Sequence, residues 1–367
     1  MSRDIDYMKT ALALAERGRG YASPNPMVGA VIVKDGQVVG KGWHEHAGGP
    51  HAEVNAIAAA GPAARGATLY VTLEPCNHHG RTPPCTEAVI AAGISRVVIA
   101  MADPNPNVAG GGADFLAEKG LRVETGLCEA AAKRLNEFFI THTLTRRPFV
   151  TLKCAATLDG YIATKSGDSK WVTGPTARRQ VHRMRHAMDA ILVGVGTVKA
   201  DDPSLTARLD EMEGRNPVRI ILDSRLSIPE DAKVLRQHPP SDTVIATGEA
   251  VDGQKAARIQ ATGARVLKLP LCNERVDLSA LLDHLGQTGI TSLLVEGGGR
   301  VSGSFLSEGR VDKICFFYAP KILAGEGIPM CSGPGPERMA SAVALADMKV
   351  THFGDDILVE GYILKKQ

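Results

Sequence analysis

Apolar residues in the first part of the chain recur in two rhythms, short continuous runs and stripes of helical spacing. Ile5, Met8, Leu12 and Ala15 fall on one face of an amphipathic helix. Runs at Val28–Val33, Val38–Gly42, Thr68–Leu73, Arg96–Met101 and Arg122–Thr125 predict strands, the first two joined as a hairpin at Lys34-Asp-Gly-Gln. Between and after them, Ala52–Ala60, Thr86–Ala92 with Gly93 as a stop, and a long Glu129–Leu144 predict helices. Strands alternating with helices in this way predict a central sheet covered on both faces.

The alternation breaks at Arg146-Arg147-Pro148, where proline forces its predecessor toward an extended backbone, so the domains are expected at 1–147 and 148–367. Downstream, strands are predicted at Phe149–Ala156, Ala190–Val195, Val218–Leu222, Thr243–Ala246, Val266–Leu269, Ser292–Val295, Ile314–Tyr318 and Ile357–Leu364. Helices are predicted at Thr176–Ala187, Gln254–Ala261, Leu278–Leu285 and Val301–Ser307. This is a second α/β domain with its own core, and 367 residues suffice for two such cores.

Charge narrows the possible partners. With 42 basic and 40 acidic residues the formal charge is +2, which gives no polyelectrolyte footprint and speaks against nucleic acid. Lys9, Glu16 and Arg17 interrupt any apolar N-terminal run, and no stretch approaches a membrane span. The seven cysteines are an odd number, and Cys128, Cys154, Cys272, Cys315 and Cys331 lie scattered in apolar stretches, the pattern of reduced thiols in a cytoplasmic protein.

The remaining cysteines carry chemistry. His51-Ala-Glu53, then Pro75-Cys76, then Cys85, offer one imidazole and two thiolates, the three protein ligands of a catalytic zinc that keeps a position for water. Glu53 is left over as the proton carrier. Hydrolytic deamination of an aminopyrimidine or purine ring needs that set, although deaminases usually space the cysteines Cys-x-x-Cys. Here eight residues, Asn77 to Pro84, intervene, with His78, His79 and Arg81 among them. Cys85 would begin the helix that follows, where free amides favour its thiolate. In the second domain, Glu296-Gly-Gly-Gly-Arg300 between a strand and a helix is suited to a pyrophosphate.

Longer motifs surround both sites. Ser23-Pro-Asn-Pro-Met-Val-Gly-Ala-Val-Ile-Val, Gly42-Trp-His-Glu-His-Ala-Gly-Gly-Pro-His-Ala-Glu, Thr72-Leu-Glu-Pro-Cys-Asn-His-His-Gly-Arg-Thr-Pro-Pro-Cys and Asp103-Pro-Asn-Pro-Asn-Val-Ala-Gly resemble the deaminase half of the bifunctional riboflavin-biosynthesis deaminase/reductase family. The long cysteine spacing belongs to that branch. Lys153-Cys-Ala-Ala-Thr-Leu-Asp-Gly, Ser169-Lys-Trp-Val-Thr, the Gly194–Arg208 stretch, Leu222-Asp-Ser-Arg and the glycine loop resemble the reductase half. The resemblance implies a cytidine-deaminase-like three-layer α/β/α domain followed by a dihydrofolate-reductase-like α/β domain. It implies zinc in the first and NADPH in the second.

The substrate so implied is a small-molecule pyrimidine nucleotide, a diamino-pyrimidinone bearing ribosylamino 5′-phosphate, deaminated to the aminouracil and then reduced from ribosyl to ribityl. By the same likeness Asn25 and His44 contact ring or ribose and Arg81 the phosphate. Ala155, Trp171, Thr197, Asp201, Ser224, Gly298, Gly299, Arg300, Val301, Ser302, Gly303 and Ser304 line the cofactor, and Ser169, Arg185, Leu205, Arg208 and Glu296 face substrate. Asp201 is also a candidate for orienting or protonating the opened sugar, Ser224 and Arg225 for reading the adenosine 2′-phosphate. A homo-oligomer, dimer or tetramer, is expected. Two rivals share the motifs: a nucleoside or RNA deaminase with an appended binding domain, and a protein using zinc structurally, which would need a fourth ligand such as His78 or His79.

Overall fold

The computed structural model describes residues 2–79, 83–105, 111–210, 214–239 and 242–364. Two compact units divide it, Met1–Arg146 and Arg147–Gln367. In the first, strands β1 (Gly29–Lys34), β2 (Gln37–Trp43), β3 (Thr68–Leu73), β4 (Arg96–Met101) and β5 (Arg122–Thr125) form one sheet in the order β2-β1-β3-β4-β5. β1 runs antiparallel to both neighbours, and β3, β4 and β5 are parallel. The hairpin forms as expected, because Asp35 and Gly36 both take positive φ (50° and 76°), the backbone that matches strand twist in a two-residue turn.

Helix Ser2–Ala15 packs so tightly on β1 that a Cβ at Gly29 would lie 2.0 Å from the Ala11 carbonyl oxygen. Its Met8 and Ala11 join Val31, Ile32, Leu69, Val71, Val97 and Ile99 in the core. One expectation fails. The long helix at Glu129–Leu144 is two, Glu129–Leu135 and Glu137–Thr145. The break falls at buried Asn136, whose amide holds both backbone groups of Met27, accepting from Met27 N at 2.8 Å and donating to Met27 O at 3.0 Å. That tertiary bond outweighs helix continuity.

The second unit contains β6 (Phe149–Thr157), β7 (Tyr161–Thr164), β8 (Ala190–Gly194), β9 (Val218–Leu222), β10 (Thr243–Thr247), β11 (Arg265–Lys268), β12 (Leu271–Cys272), β13 (Arg275–Val276), β14 (Ser292–Val295), β15 (Lys313–Ala319), β16 (Gly327–Pro329), β17 (Leu345–Phe353) and β18 (Asp356–Ile363). Nine of these make a sheet ordered β11-β10-β9-β8-β14-β6-β15-β18-β17, parallel as far as β15 and antiparallel beyond it. Successive residues of a strand face opposite sides. Leu192 and Ile220 therefore enter one apolar cluster with Leu281 and Phe305, while Ile191 and Ile221 enter another with Val234 and Ile259. Among the described residues no helix is long and apolar enough to cross a membrane.

Candidate active sites

The first site is assembled on the helix Ala52–Ala60, which lies against β2 because that strand carries Gly40 and Gly42. A Cβ on Gly42 would stand 2.4 Å from Ala52 O, and one on Gly40 2.3 Å from Ala56 O, so only glycine allows the approach. His51 caps this helix with an extended backbone, and Glu53 sits in its first turn. Cys76 follows β3, and its loop is tied back by Glu74, which accepts from Asp103 N (3.1 Å) and Ala113 N (2.9 Å). Thr86 Oγ1 donates to Asn77 Oδ1 at 2.9 Å and fixes the start of the helix Cys85–Ala91.

Three ligand atoms result, His51 Nδ1, Cys76 Sγ and Cys85 Sγ, all within 4.8 Å of one another. His51 Nδ1 is 3.1 Å from Cys85 Sγ and 3.5 Å from Cys76 Sγ. The donor set, one imidazole and two thiols, is the one zinc takes. Neither His78 nor His79 belongs to the cluster; both are exposed, and His79 pairs with Glu87 at 3.4 Å. Among the described residues the cluster thus offers three ligands and no fourth.

Hydrogen bonding from Cys85, then from His51, holds the Cys76 thiol down at about 4 against the cost of burial, whereas donation to Cys76 and burial push the Cys85 thiol up. Cys76 Sγ also accepts from Cys85 N at 3.3 Å. His51, bonded to Cys76, is raised. Burial raises Glu53, which is 3% exposed and close enough to hydrogen-bond Cys85.

His44 lies beside the cluster, its ring edge-on to His51 with centroids 5.5 Å apart. Asn25 Nδ2 donates to His44 Nε2 at 3.1 Å and His44 Nδ1 donates to Pro50 O at 3.1 Å, a pattern only the neutral ring satisfies. Burial lowers its pKa accordingly. The structure thus brings Asn25, His44, His51, Glu53, Cys76 and Cys85 together. Arg81 and residues 106–110 of the Asp103 motif lie outside the described residues.

In the second unit a buried ion cluster forms where β6 meets β14. Val295 pairs with Leu152 in register, which places Glu296 beside Lys153. Arg185 grips Glu296 by two parallel bonds of 2.9 Å, and Lys153 Nζ approaches at 3.6 Å. Burial opposes the Glu296 charge, but Arg185 and then Lys153 overcome it and hold the carboxyl at about 2. Arg185 spends its third nitrogen on Thr206 O at 3.2 Å, so its guanidinium positions Glu296 and the 206 carbonyl. Lys153 stood in a motif but had no role assigned from sequence, because only strand register reveals it.

Ser169 Oγ donates to Asp201 Oδ1 at 3.4 Å, joining the loop before Trp171 to the end of the helix Val195–Asp201. Trp171 is exposed under the Arg178 guanidinium, 4.5 Å from its ring. Thr197 Oγ1 lies 3.8 Å from where Gly298 would carry a Cβ, and Gly298 caps the helix Gly299–Ser307. Ser224 Oγ accepts from Val276 N at 3.1 Å, and Arg225 pairs with Glu274 at 2.9 Å.

Packing bears on three of these positions. Leu205 has a left-handed backbone (φ 54°) and its side chain lies in the core with Ile191 and Val198. Gly299 and Gly303 are held to glycine by packing, since Cβ atoms there would meet Pro329 O at 2.2 Å and Ser332 O at 2.0 Å. Ala155 on β6, Arg300, Val301 and Ser304 stand around this helix and strand, and Arg208 is exposed.

Comparison with known proteins agrees with this division. Residues 1–101 match the model of the cytidine and deoxycytidylate deaminase zinc-binding region, and residues 148–359 match that of the RibD C-terminal domain. The riboflavin biosynthesis protein RibD of Aquifex aeolicus is 47% identical over 361 residues, covering 98% of this chain and 99% of its own. Acinetobacter baumannii RibD superposes with a TM-score of 0.90 at 38% identity, with 99% of both chains covered. A diaminohydroxyphosphoribosylaminopyrimidine deaminase/5-amino-6-(5-phosphoribosylamino)uracil reductase from Thermotoga maritima gives 0.86 at 40%, again covering 99% of each.

Proposed function

The chain belongs to the RibD family of riboflavin biosynthesis, a zinc deaminase joined to an NADPH-dependent reductase, and from that premise we propose which residues do the work. His51, Cys76 and Cys85 hold the zinc. The observation that carries this is their convergence within 4.8 Å beside a buried carboxyl that is not among them. Zinc, when bound, supplies Lewis acidity that makes water a nucleophile near neutral pH. Glu53 takes the proton from the attacking water and delivers it to the leaving amine, which departs as ammonia while the ring carbon gains a carbonyl oxygen. Its raised pKa suits a group that must hold a proton between those two steps. Asn25 and neutral His44 orient the pyrimidine ring, and Arg81 takes the ribose phosphate.

In the second unit, residues 148–367, the N-terminus of helix Gly299–Ser307 and Thr197 hold the dinucleotide phosphates, with Ala155, Trp171 and Ser224 along its length. NADPH, when bound, supplies the hydride that reduces C1′ of the sugar. Asp201, oriented by Ser169, supplies the accompanying proton. The Arg185–Glu296–Lys153 cluster fixes the floor of the substrate pocket, and Arg208, exposed beside the His182 ring at 3.3 Å, takes the phosphate. Residues 1–147 carry the deaminase alone.

The enzyme works as a homo-oligomer, dimer or tetramer, supported by the sheet edge at β17, where Met348 and Val350 are 53% and 58% exposed on a strand that pairs with β18 on one side and ends the sheet on the other. The seven free cysteines support a cytoplasmic setting. Purified protein incubated with the diamino-pyrimidinone nucleotide should release ammonia without NADPH and oxidise NADPH only after that release. Ammonia release from cytidine or RNA in its place would favour the rival deaminase reading.

A further inference from the structure

Outside these sites, one pair of nucleophilic side chains has no assigned work. Cys154 is buried on β6, one residue from Ala155, and Cys331 is half-buried in the segment following β16. The two thiols stand close enough for each to shift the ionisation of the other. Cys154 Sγ also lies 3.6 Å from Ser302 Oγ and 3.8 Å from the carbonyl of Met330, the residue bonded to Cys331. The segment carrying Cys331 is clamped over helix Gly299–Ser307: Ser332 N donates to Gly299 O at 2.8 Å, and Pro329 O and Ser332 O occupy the space that side chains at Gly299 and Gly303 would fill.

We propose that Cys154 and Cys331 are a reversible oxidation site, closing to a disulfide at the expense of a peroxide and thereby weakening dinucleotide binding at the adjacent helix. Cys154 attacks the peroxide, cleaving its O–O bond and giving a sulfenic acid and one water. The Cys331 thiol then displaces the second water, so two thiols lose two electrons and two protons to the peroxide. The neighbouring Cys331 thiol lowers the Cys154 pKa, which favours the Cys154 thiolate as the attacking group, and half-buried Cys331 leaves a route for the oxidant. Dithiols reverse the bond by exchange.

The effect on binding follows from packing. An S–S bond is shorter than a thiol–thiol contact and draws the 329–332 segment toward β6. Glycine at 299 and 303 leaves no slack, so the movement is passed to the first turn of the helix, whose amides face the phosphates. This consequence rests on the cofactor placement proposed above; the cross-link does not.

The test treats zinc-loaded protein with hydrogen peroxide, maps disulfides by peptide mass, and titrates NADPH by its fluorescence. The expected result is a Cys154–Cys331 cross-link, a rise in the NADPH dissociation constant of about tenfold, a usual size for coupling between two sites, and recovery with dithiothreitol. Cys331→Ser should bind NADPH like the reduced wild type and keep that affinity after peroxide. Absence of the cross-link, unchanged affinity in cross-linked protein, or an equal loss in Cys331→Ser would overturn the proposal. Reduced protein that does not bind NADPH would instead count against the cofactor placement, while the cross-link would still decide the oxidation site.

Discussion

Glu296 keeps a charge inside the protein only because Arg185 and Lys153 face it, and that makes it a pH sensor of stability. Its carboxyl is depressed from 4.5 to about 2, so its contribution is fully present above pH 4.5 and is lost as pH falls toward 2. The contribution is of order 3 kcal/mol. Urea unfolding between pH 5 and 2.5 should therefore show a steeper acid loss in the wild type than in Glu296→Gln; equal slopes would contradict the assignment. At this scale the zinc ligands and Glu53 were legible in the sequence, because residue type and order carry their chemistry. Lys153 was not, since its partner is 143 positions away and is supplied by the register of β6 on β14.

At the scale of elements, strand and helix periodicity found most of the two sheets, and its failures have causes. The helix broken at Asn136 yields to a side-chain bond to Met27 that local pattern cannot reveal. Strand β17 reads Leu-Ala-Asp-Met-Lys-Val-Thr-His-Phe and is exposed along most of its length, so it shows no buried face. The helices Gly112–Glu118 and Val195–Asp201 are too short to build a period. The glycines of β2 carry a sharper consequence. Gly42→Ala should cost about 1–3 kcal/mol, as overpacking does, and lower the zinc content, because the helix bearing His51 and Glu53 must shift. Gly335→Ala, with nothing within 4 Å of the added methyl group, should change neither thermal stability nor metal content. Retained zinc and stability in Gly42→Ala would show that the close packing does not place the site.

For the whole molecule, two units with separate sheets and separate cores predict separable chemistry. Residues 1–147 expressed alone should bind zinc and release ammonia, and residues 148–367 alone should reduce the deaminated nucleotide; loss of either activity in a folded fragment would argue for a site built across the boundary. The exposed strand β17 makes a further prediction. Replacing Met348 and Val350 by lysine should lower the mass measured by light scattering if that edge joins copies, and an unchanged mass would place the interface elsewhere.

The central claim is that a three-ligand zinc centre works with Glu53 as an unligated acid. Glu53→Gln keeps the shape of the side chain and removes its proton chemistry, so zinc content, ammonia release and NADPH oxidation measured on that one variant separate the roles. Glu53→Gln should hold one zinc per chain, release ammonia about a hundredfold or more slowly, and reduce the pre-deaminated nucleotide at the unchanged rate. Loss of zinc from the folded variant, or ammonia release at the wild-type rate, would contradict the claim.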